Sequence, residues 1–162
     1  MKKILGIAAL AITAFASSAQ AQSCQDSWGY VADGGFEANA PEAFSPCTDG
    51  GSVSLLCIGP ALLVTYSPAE GTIANDPNGN EHWPITMRVG DFVYSDYVNF
   101  MGATGEFGFV RVAWDYEHPL FAALQSGSKI EVSLPDFNAQ SSVSLSGSRA
   151  AISQVIEACQ SY

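Results

Sequence analysis

The stretch SVSLLCIGPALLVTY, residues 52–66, decides the fold because it predicts two antiparallel strands around a tight turn. Val53, Leu55 and Cys57 lie two residues apart and therefore share one face of a strand. A glycine and a proline in the middle of the stretch are typical of a turn, and the apolar run after them forms the return strand. We therefore expect a β-rich protein whose core begins here.

The same two-residue period continues through the rest of the chain. It predicts further strands in residues 85–89, 92–95, 107–114, 129–134 and 142–145. Pro119 and Gly127 can begin and end a short helix, and an apolar stripe over residues 149–158 predicts a final helix with Ser148 as its N-cap. Residues 51–162 should thus form an antiparallel sandwich or partly open barrel of about seven strands, with a short helix and a packed C-terminal helix.

The four cysteines, Cys24, Cys47, Cys57 and Cys159, contain no Cys-x-x-Cys pair. In an exported protein an even set of this kind indicates two structural disulfides rather than a redox or zinc site. Cys57 lies on the inward face of its strand and Cys159 lies on the apolar stripe of the final helix, so both sulfurs should point into the core. We therefore predict the pair Cys57–Cys159 and, by remainder, the pair Cys24–Cys47.

Residues 1–21 have the pattern of a cleavable secretory signal, in which Lys2 and Lys3 precede an apolar stretch and Ala21 ends a small-residue cleavage box. Residues 22–50 show no sustained period and should form a disulfide-stapled loop region. The apolar stretch of the signal is too short to span a bilayer, and we expect no integral membrane segment after cleavage. The expected compartment is the periplasm, with the extracellular space as the alternative.

Acidic residues outnumber basic ones by 16 to 6 in the 162-residue chain, which gives a formal net charge of -10. Two of the six bases are the lysines of the signal, so the exported part is more acidic still. Nucleic acid and anionic membranes are therefore poor partners. The acids are scattered along the chain, so charge excludes these partners without identifying another.

Several fold-forming segments between residues 51 and 159 make up a pattern: Leu56-Cys57, 62–66, 119–124 with Gly127, 143–148, 150–152 and Cys159. This pattern resembles small exported β-sandwich proteins of Gram-negative bacteria, among them accessory proteins of type VI secretion of the VasI kind. The resemblance implies a non-enzymatic protein and carries no catalytic residue onto this chain. A second similarity, through Cys57 and residues 64–66, is to periplasmic inhibitors of lysozyme, although the serine and glycine before a tyrosine in their inhibitory loop are not found here.

His82 and His118 are the candidates for hydrolytic chemistry, and each has acidic neighbours in the sequence. A histidine base also needs an ordered nucleophile, and the chain has no Gly-x-Ser-x-Gly motif to provide one. The position of His118 directly before Pro119 instead fits the cap of a helix. No catalytic residue is assigned, and a hydrolase that uses His118 or His82 stays an alternative.

Asp76, Asn78 and Asn80 place oxygen ligands at alternating positions, followed by Glu81, as in the first half of a calcium loop. However, Glu81 stands where a glycine would make the sharp turn, and Met87 stands where a bidentate glutamate belongs. A plain turn is therefore favoured, and these four oxygen-bearing residues are only a weak calcium candidate. No cofactor is predicted.

Phe107, Phe109 and Arg111 form the candidate surface for a partner. Alternation along residues 107–114 places them on the face opposite Val110, so that apolar rings can lie at the surface beside a cation. Such surfaces are typical of protein contacts. A strand covered on both faces is the alternative interpretation.

These patterns together predict an exported, non-enzymatic protein that binds a protein partner in the cell envelope. Besides the hydrolase, one alternative is an inhibitor of a basic exported enzyme, for which the acidity of the chain would provide electrostatic steering. Another is a small-ligand carrier, which requires a large apolar cavity.

Overall fold

The structure of the protein is a computed structural model, and it describes residues 27–33, 40–45, 51–68, 82–102 and 108–161, with the backbone alone at 99–102 and 108–109. These residues form nine strands and two α-helices, and a 3-10 helix, Pro135–Phe137, lies between the last two strands. In chain order the elements are β1 (Gly29–Val31), β2 (Glu42–Phe44), β3 (Gly51–Ile58), β4 (Ala61–Pro68), β5 (His82–Val89), β6 (Phe92–Gly102), β7 (Gly108–Asp115), α1 (Pro119–Ser126), β8 (Lys129–Leu134), β9 (Ala139–Ser144) and α2 (Ser148–Gln160).

All strand pairs are antiparallel, and the hydrogen-bonded order is β1-β2-β3-β4-β7-β6-β5-β8-β9. β6 and β7 pair through a short joint, from Asn99↔Arg111 to Gly102↔Gly108. This joint connects a five-stranded sheet, β1-β2-β3-β4-β7, with a four-stranded sheet, β6-β5-β8-β9. The predicted open antiparallel fold is confirmed, with nine strands in the described residues instead of about seven.

The strands predicted in residues 52–66 form the hairpin β3–β4, those predicted in residues 85–89 and 92–95 form the hairpin β5–β6, and both hairpins are longer than their apolar patterns indicated. Each turns through two residues, and Gly59 and Gly90 adopt the left-handed conformation at the turn, with φ of 55° and 57°. A first turn residue of this kind matches the right-handed twist of the flanking strands. Pro84 is tolerated in β5 because pairing with β8 is limited to residues 86–88.

The core lies between the two sheets and follows the two-residue period. Inward side chains of both sheets belong to one cluster: Val53, Leu55 and Cys57 of β3, Leu62, Val64 and Tyr66 of β4, Trp83, Ile85, Met87 and Val89 of β5, and Ile130, Val132 and Leu134 of β8. Inside it, the hydroxyl groups of Tyr66 and Ser141 share a hydrogen bond that connects β4 with β9. Both side chains are buried, so this bond holds the two sheets together away from water.

α2 packs against α1 and against β1, β2 and β3. Its predicted apolar stripe of Ile152, Val155, Ile156 and Cys159 is confirmed, because three of these residues are buried in the core and Ile156 packs against it, partly buried. The predicted disulfide Cys57–Cys159 is present and joins residues 102 positions apart, with a Cα–Cα distance of 5.5 Å. Cys24 and Cys47 lie outside the described residues, so their pairing stays a prediction.

The prediction that Ser148 caps α2 is wrong. The N-cap residue is Gly147, which has φ of 80° and therefore suits glycine. The hydroxyl of Ser148 is buried and donates to the carbonyl oxygen of Leu124, 2.7 Å away, so it connects α2 to α1 instead. The sequence pattern predicts that this hydroxyl accepts from a backbone amide at the start of α2, whereas it donates to a carbonyl at the end of α1.

The N-terminal region predicted as a loop, residues 22–50, contains β1 and β2, which extend the five-stranded sheet beyond β3. These strands are three residues long, too short to show a two-residue period in the sequence.

Just before β1, Trp28 donates two hydrogen bonds of 2.8 Å to backbone carbonyl oxygens at the end of β9. Its backbone amide donates to Ser146, and its indole N–H donates to Ser144. The residue that precedes β1 is therefore hydrogen-bonded to the end of β9, the strand at the opposite edge of the sheet order.

Candidate functional site

β6 and β7 separate on one side of their joint. Among the described residues, the segment 92–98 of β6 pairs with β5 and not with β7, and the segment 112–115 of β7 pairs with β4 and not with β6. His118, directly before α1, contacts Tyr94 of β6 and Trp114 of β7. We call this opening the wedge, and the start of α1 fills its inner part.

α1 begins where the sequence predicted it. The backbone turns after Asp115, whose carbonyl oxygen accepts a hydrogen bond of 2.9 Å from the amide of His118. The Nδ1 atom of His118 then accepts from the amide of Leu120 at 3.3 Å, and Pro119 occupies the first helical turn. The helix cap predicted for His118 is thus confirmed, and it fixes the imidazole ring in the wedge.

Four side chains, Tyr94, Asp96, Trp114 and His118, form what we call the wedge cluster. The rings of Trp114 and His118 are stacked, with centroids 4.6 Å apart and planes 13° from parallel. The ring of Tyr94 stands nearly perpendicular to both, 4.9 Å from Trp114 and 5.0 Å from His118. These distances and angles are those of favourable aromatic contacts, and the three rings are only partly buried.

Asp96 provides the negative charge of the cluster and is exposed to water. One carboxylate oxygen accepts a hydrogen bond from the hydroxyl of Tyr94, and the other accepts from the backbone amide of Tyr97 at 2.7 Å. These two donors lower the pKa of Asp96 below its ordinary value. Burial and the nearby carboxylate raise the pKa of Tyr94 to about 12. The pair therefore carries one negative charge at neutral pH.

Burial lowers the pKa of His118, and the negative charge of Asp96 opposes that effect. Because Nδ1 accepts from Leu120, the neutral ring carries its proton on Nε2. Among the described residues, no serine or threonine hydroxyl is hydrogen-bonded to His118. His82 lies apart from the wedge cluster, at the exposed start of β5. The described residues thus do not assemble the nucleophile and base that the hydrolase alternative needs.

Arg111 lies on the outer face of the five-stranded sheet, opposite the buried Val110, as alternation predicted. Its Nε atom donates to the hydroxyl of Thr65 at 3.2 Å, and its charge partly offsets the effect of burial, which raises the pKa of Glu42. Phe107 and the side chain of Phe109 lie outside the described residues. Of the candidate surface of Phe107, Phe109 and Arg111, the structure therefore describes only the side chain of Arg111. That side chain is hydrogen-bonded to Thr65 and interacts electrostatically with Glu42.

Beyond the predicted signal of residues 1–21, the basic residues are all in described strands or helices: Arg88, Arg111, Lys129 and Arg149. Lys129 and Arg88 lower the pKa of Glu131, on the outer face of the four-stranded sheet, and Lys129 forms an ion pair with it. Arg149 donates to the carbonyl oxygen of Gln125 at 3.2 Å, where it neutralises the negative end of α1. Among the described groups, the charge that acts on Asp96 is that of His118.

The calcium candidates Asp76, Asn78, Asn80 and Glu81 lie outside the described residues, so their role stays a prediction. Within the described part of the chain, no group of three or more histidine, cysteine and acidic residues lies close enough together to hold a metal ion. The described helices also include none long and apolar enough to cross a membrane.

The sequence prediction missed the wedge cluster, although one signal for it was present. Phe92, Tyr94, Asp96 and Val98 share the inward face of β6, because they alternate along one strand. An acidic residue among apolar ones at the same parity indicates that water reaches the inward face at that point. The separation of β6 from β7 explains how it does.

One solved structure with a similar fold is the crystal structure of invasion associated protein B from Bartonella henselae. The similarity covers 83% of this chain and 94% of that chain, with a TM-score of 0.56 and a sequence identity of 14%. At this identity the similarity shows the fold alone, and it confirms the predicted resemblance at the level of a small β-rich bacterial protein. No protein-family model and no curated protein sequence matches the chain. The resemblance to VasI-type accessory proteins stays a prediction.

Proposed function

We propose that the protein is exported to the cell envelope and binds a protein partner there, without catalysing a reaction, through the wedge cluster. The observation that supports this is a set of aromatic rings left partly exposed beside a carboxylate, at the point where the two sheets separate. Tyrosine and tryptophan are enriched among the residues that dominate the energy of protein interfaces. A rigid arrangement of such rings is therefore a suitable contact surface.

Export is supported by the secretory pattern of residues 1–21 and by the disulfide Cys57–Cys159. Disulfides of this kind persist in oxidising compartments such as the periplasm and the extracellular space. The similar fold of a bacterial protein whose name describes it as invasion associated is compatible with an envelope role. Within this proposal, an accessory role in secretion and the inhibition of a basic exported enzyme are the two finer possibilities that the sequence resemblances support.

Phe107, Phe109 and Arg111 stay a second proposed contact surface on β7 and the segment before it. Arg111 lies on the outer face of the sheet, whereas the wedge cluster faces inward, so the two surfaces would bind from different sides. Substitution of Phe109 by aspartate can therefore be tested separately from changes in the wedge.

Site-specific photo-crosslinking tests the proposal. A benzoylphenylalanine replaces Glu117, which is exposed and adjacent to His118, and the exported protein is irradiated in an envelope extract. We expect a defined crosslinked protein from this position and not from Gln140, an exposed control position on β9. Absence of a crosslink at Glu117, or the same product from both positions, would contradict binding at the wedge. Loss of the product in a Phe109→Asp variant would move the contact to the second surface.

A further inference from the structure

We infer that the wedge cluster receives a positively charged side chain, lysine or arginine, from the protein partner. This inference rests on the proposed function and specifies the chemistry of the partner. It combines three features of the described residues: the free acceptor capacity of Asp96, the aromatic rings around it, and the distribution of charge in the chain.

The carboxylate of Asp96 can accept more hydrogen bonds than it has in the structure. Its two oxygens accept one bond each, from Tyr94 and from the amide of Tyr97. An ionised carboxylate has about four acceptor positions, so about two stay available for a donor from outside. Because Asp96 is exposed, an ammonium or guanidinium group can reach it and form a charge-assisted hydrogen bond.

The ring of Tyr94 lies next to this carboxylate, the ring of Trp114 is 4.9 Å from that of Tyr94, and both favour the same kind of ligand. Tryptophan and tyrosine attract cations through the negative face of the ring, and arginine uses this contact most often. Burial favours the neutral form of His118, so the histidine adds little positive charge that would compete with an incoming cation. A partner carboxylate, in contrast, would meet Asp96 and be repelled.

The charge of the surroundings points in the same direction. Asp115 and Glu117 are exposed and lie between Trp114 and His118 in the sequence, so the segment that connects these two rings is acidic. The basic residues of the exported part lie elsewhere, on the outer faces of the sheets and at the end of α1. A cation that approaches Asp96 is therefore attracted and does not displace an internal ion pair with Arg88, Arg111, Lys129 or Arg149.

Titration of the exported protein with a blocked peptide, acetyl-Gly-Gly-Arg-Gly-Gly-amide, tests the inference by NMR of the tryptophan indole protons. We expect a saturable shift of the Trp114 resonance with the arginine peptide, and none with the same peptide in which neutral citrulline replaces arginine. The Asp96→Asn variant should bind the arginine peptide about fivefold more weakly, as the loss of an exposed charge contact predicts. A Glu157→Gln variant, which makes the same chemical change on the exposed side of α2, should bind like the parent protein.

The inference is overturned if the arginine peptide gives no saturable shift at millimolar concentrations, or if the arginine and citrulline peptides give equal shifts. Equal affinity of the parent and Asp96→Asn proteins, with unchanged melting temperature, also overturns it. If the crosslink at Glu117 forms while any of these results is obtained, the partner binds at the wedge by other contacts, and only the inference fails. If no crosslink forms at Glu117, the proposed function fails whatever the peptide does.

Discussion

Tyr66 and Tyr94 both lie on the inward face of a strand, yet their hydroxyl groups have different partners. Tyr66 is buried between the sheets and bonds to the neutral hydroxyl of Ser141. Tyr94 lies in the wedge, is partly exposed, and donates to the charged carboxylate of Asp96. A buried carboxylate would lose most of its hydration, whereas a neutral hydroxyl pair satisfies itself without water. The inward surface is thus a core at one place and a binding surface at another.

Replacement of one tryptophan in the core and one in the wedge should give the largest difference in the free energy of unfolding. Trp83 is fully buried, and its indole N–H has no hydrogen-bond partner among the described residues, so Trp83→Ala removes mainly packing and should lower the free energy of unfolding by about 3–5 kcal/mol. Trp114 is partly buried, and Trp114→Ala should lower it by about 1–2 kcal/mol. Urea denaturation of the two variants measures both values. Equal losses would mean that the wedge is as much a part of the core as Trp83 is.

Removal of each tyrosine hydroxyl tests the comparison directly. Tyr66→Phe deletes the bond that connects β4 with β9 in the absence of water and should cost about 1–2 kcal/mol. Tyr94→Phe should cost about 0.5 kcal/mol or less, because water can replace the hydroxyl at the exposed carboxylate. Denaturant unfolding under identical conditions compares the two. A larger cost at Tyr94 than at Tyr66 would refute the view that the wedge is open to solvent.

The smallest expected effect concerns pH. The pKa of Asp96 is lower in the folded protein than its ordinary value of 3.8, so its ionised form stabilises the fold. This contribution is fully present above the unfolded pKa and is lost as the pH falls through the folded pKa. The parent protein should therefore exceed the Asp96→Asn variant in melting temperature near neutral pH, and the difference should shrink below about pH 4. A difference that stays constant from pH 6 to pH 3 would contradict this assignment.

The sequence predicts those parts of the fold that depend on local patterns. The inward face of β3 follows from the spacing of Val53, Leu55 and Cys57. The disulfide follows from two patterns: the strand period places Cys57 inward, and the helical period places Cys159 on the apolar side of α2. α1 follows from Pro119 and Gly127, because each of these residues has a strong local preference. These features need no knowledge of distant residues.

Features that depend on distant pairing were not predictable in this way. β1 and β2 are strands because β3 is available beside them, and three residues carry no detectable period. Ser148 has the residue type and position of an N-cap, and its actual acceptor, the carbonyl of Leu124, is 24 residues away in the sequence, where a local pattern carries no information. The wedge cluster requires that β6 and β7 separate after four residue pairs, and no single strand contains that information.

The bonds from Trp28 to Ser144 and Ser146 have a consequence for the order in which the chain acquires its structure. The indole bond spans 116 residues, and the disulfide between Cys57 and Cys159 spans 102. Both join a residue in the N-terminal half of the chain, Trp28 or Cys57, to the last strand or the last helix. If the chain is exported from its N-terminus, as the proposed function requires, it can form neither link until residues 144–159 have crossed the membrane. Under that proposal, the final closure of the fold follows translocation.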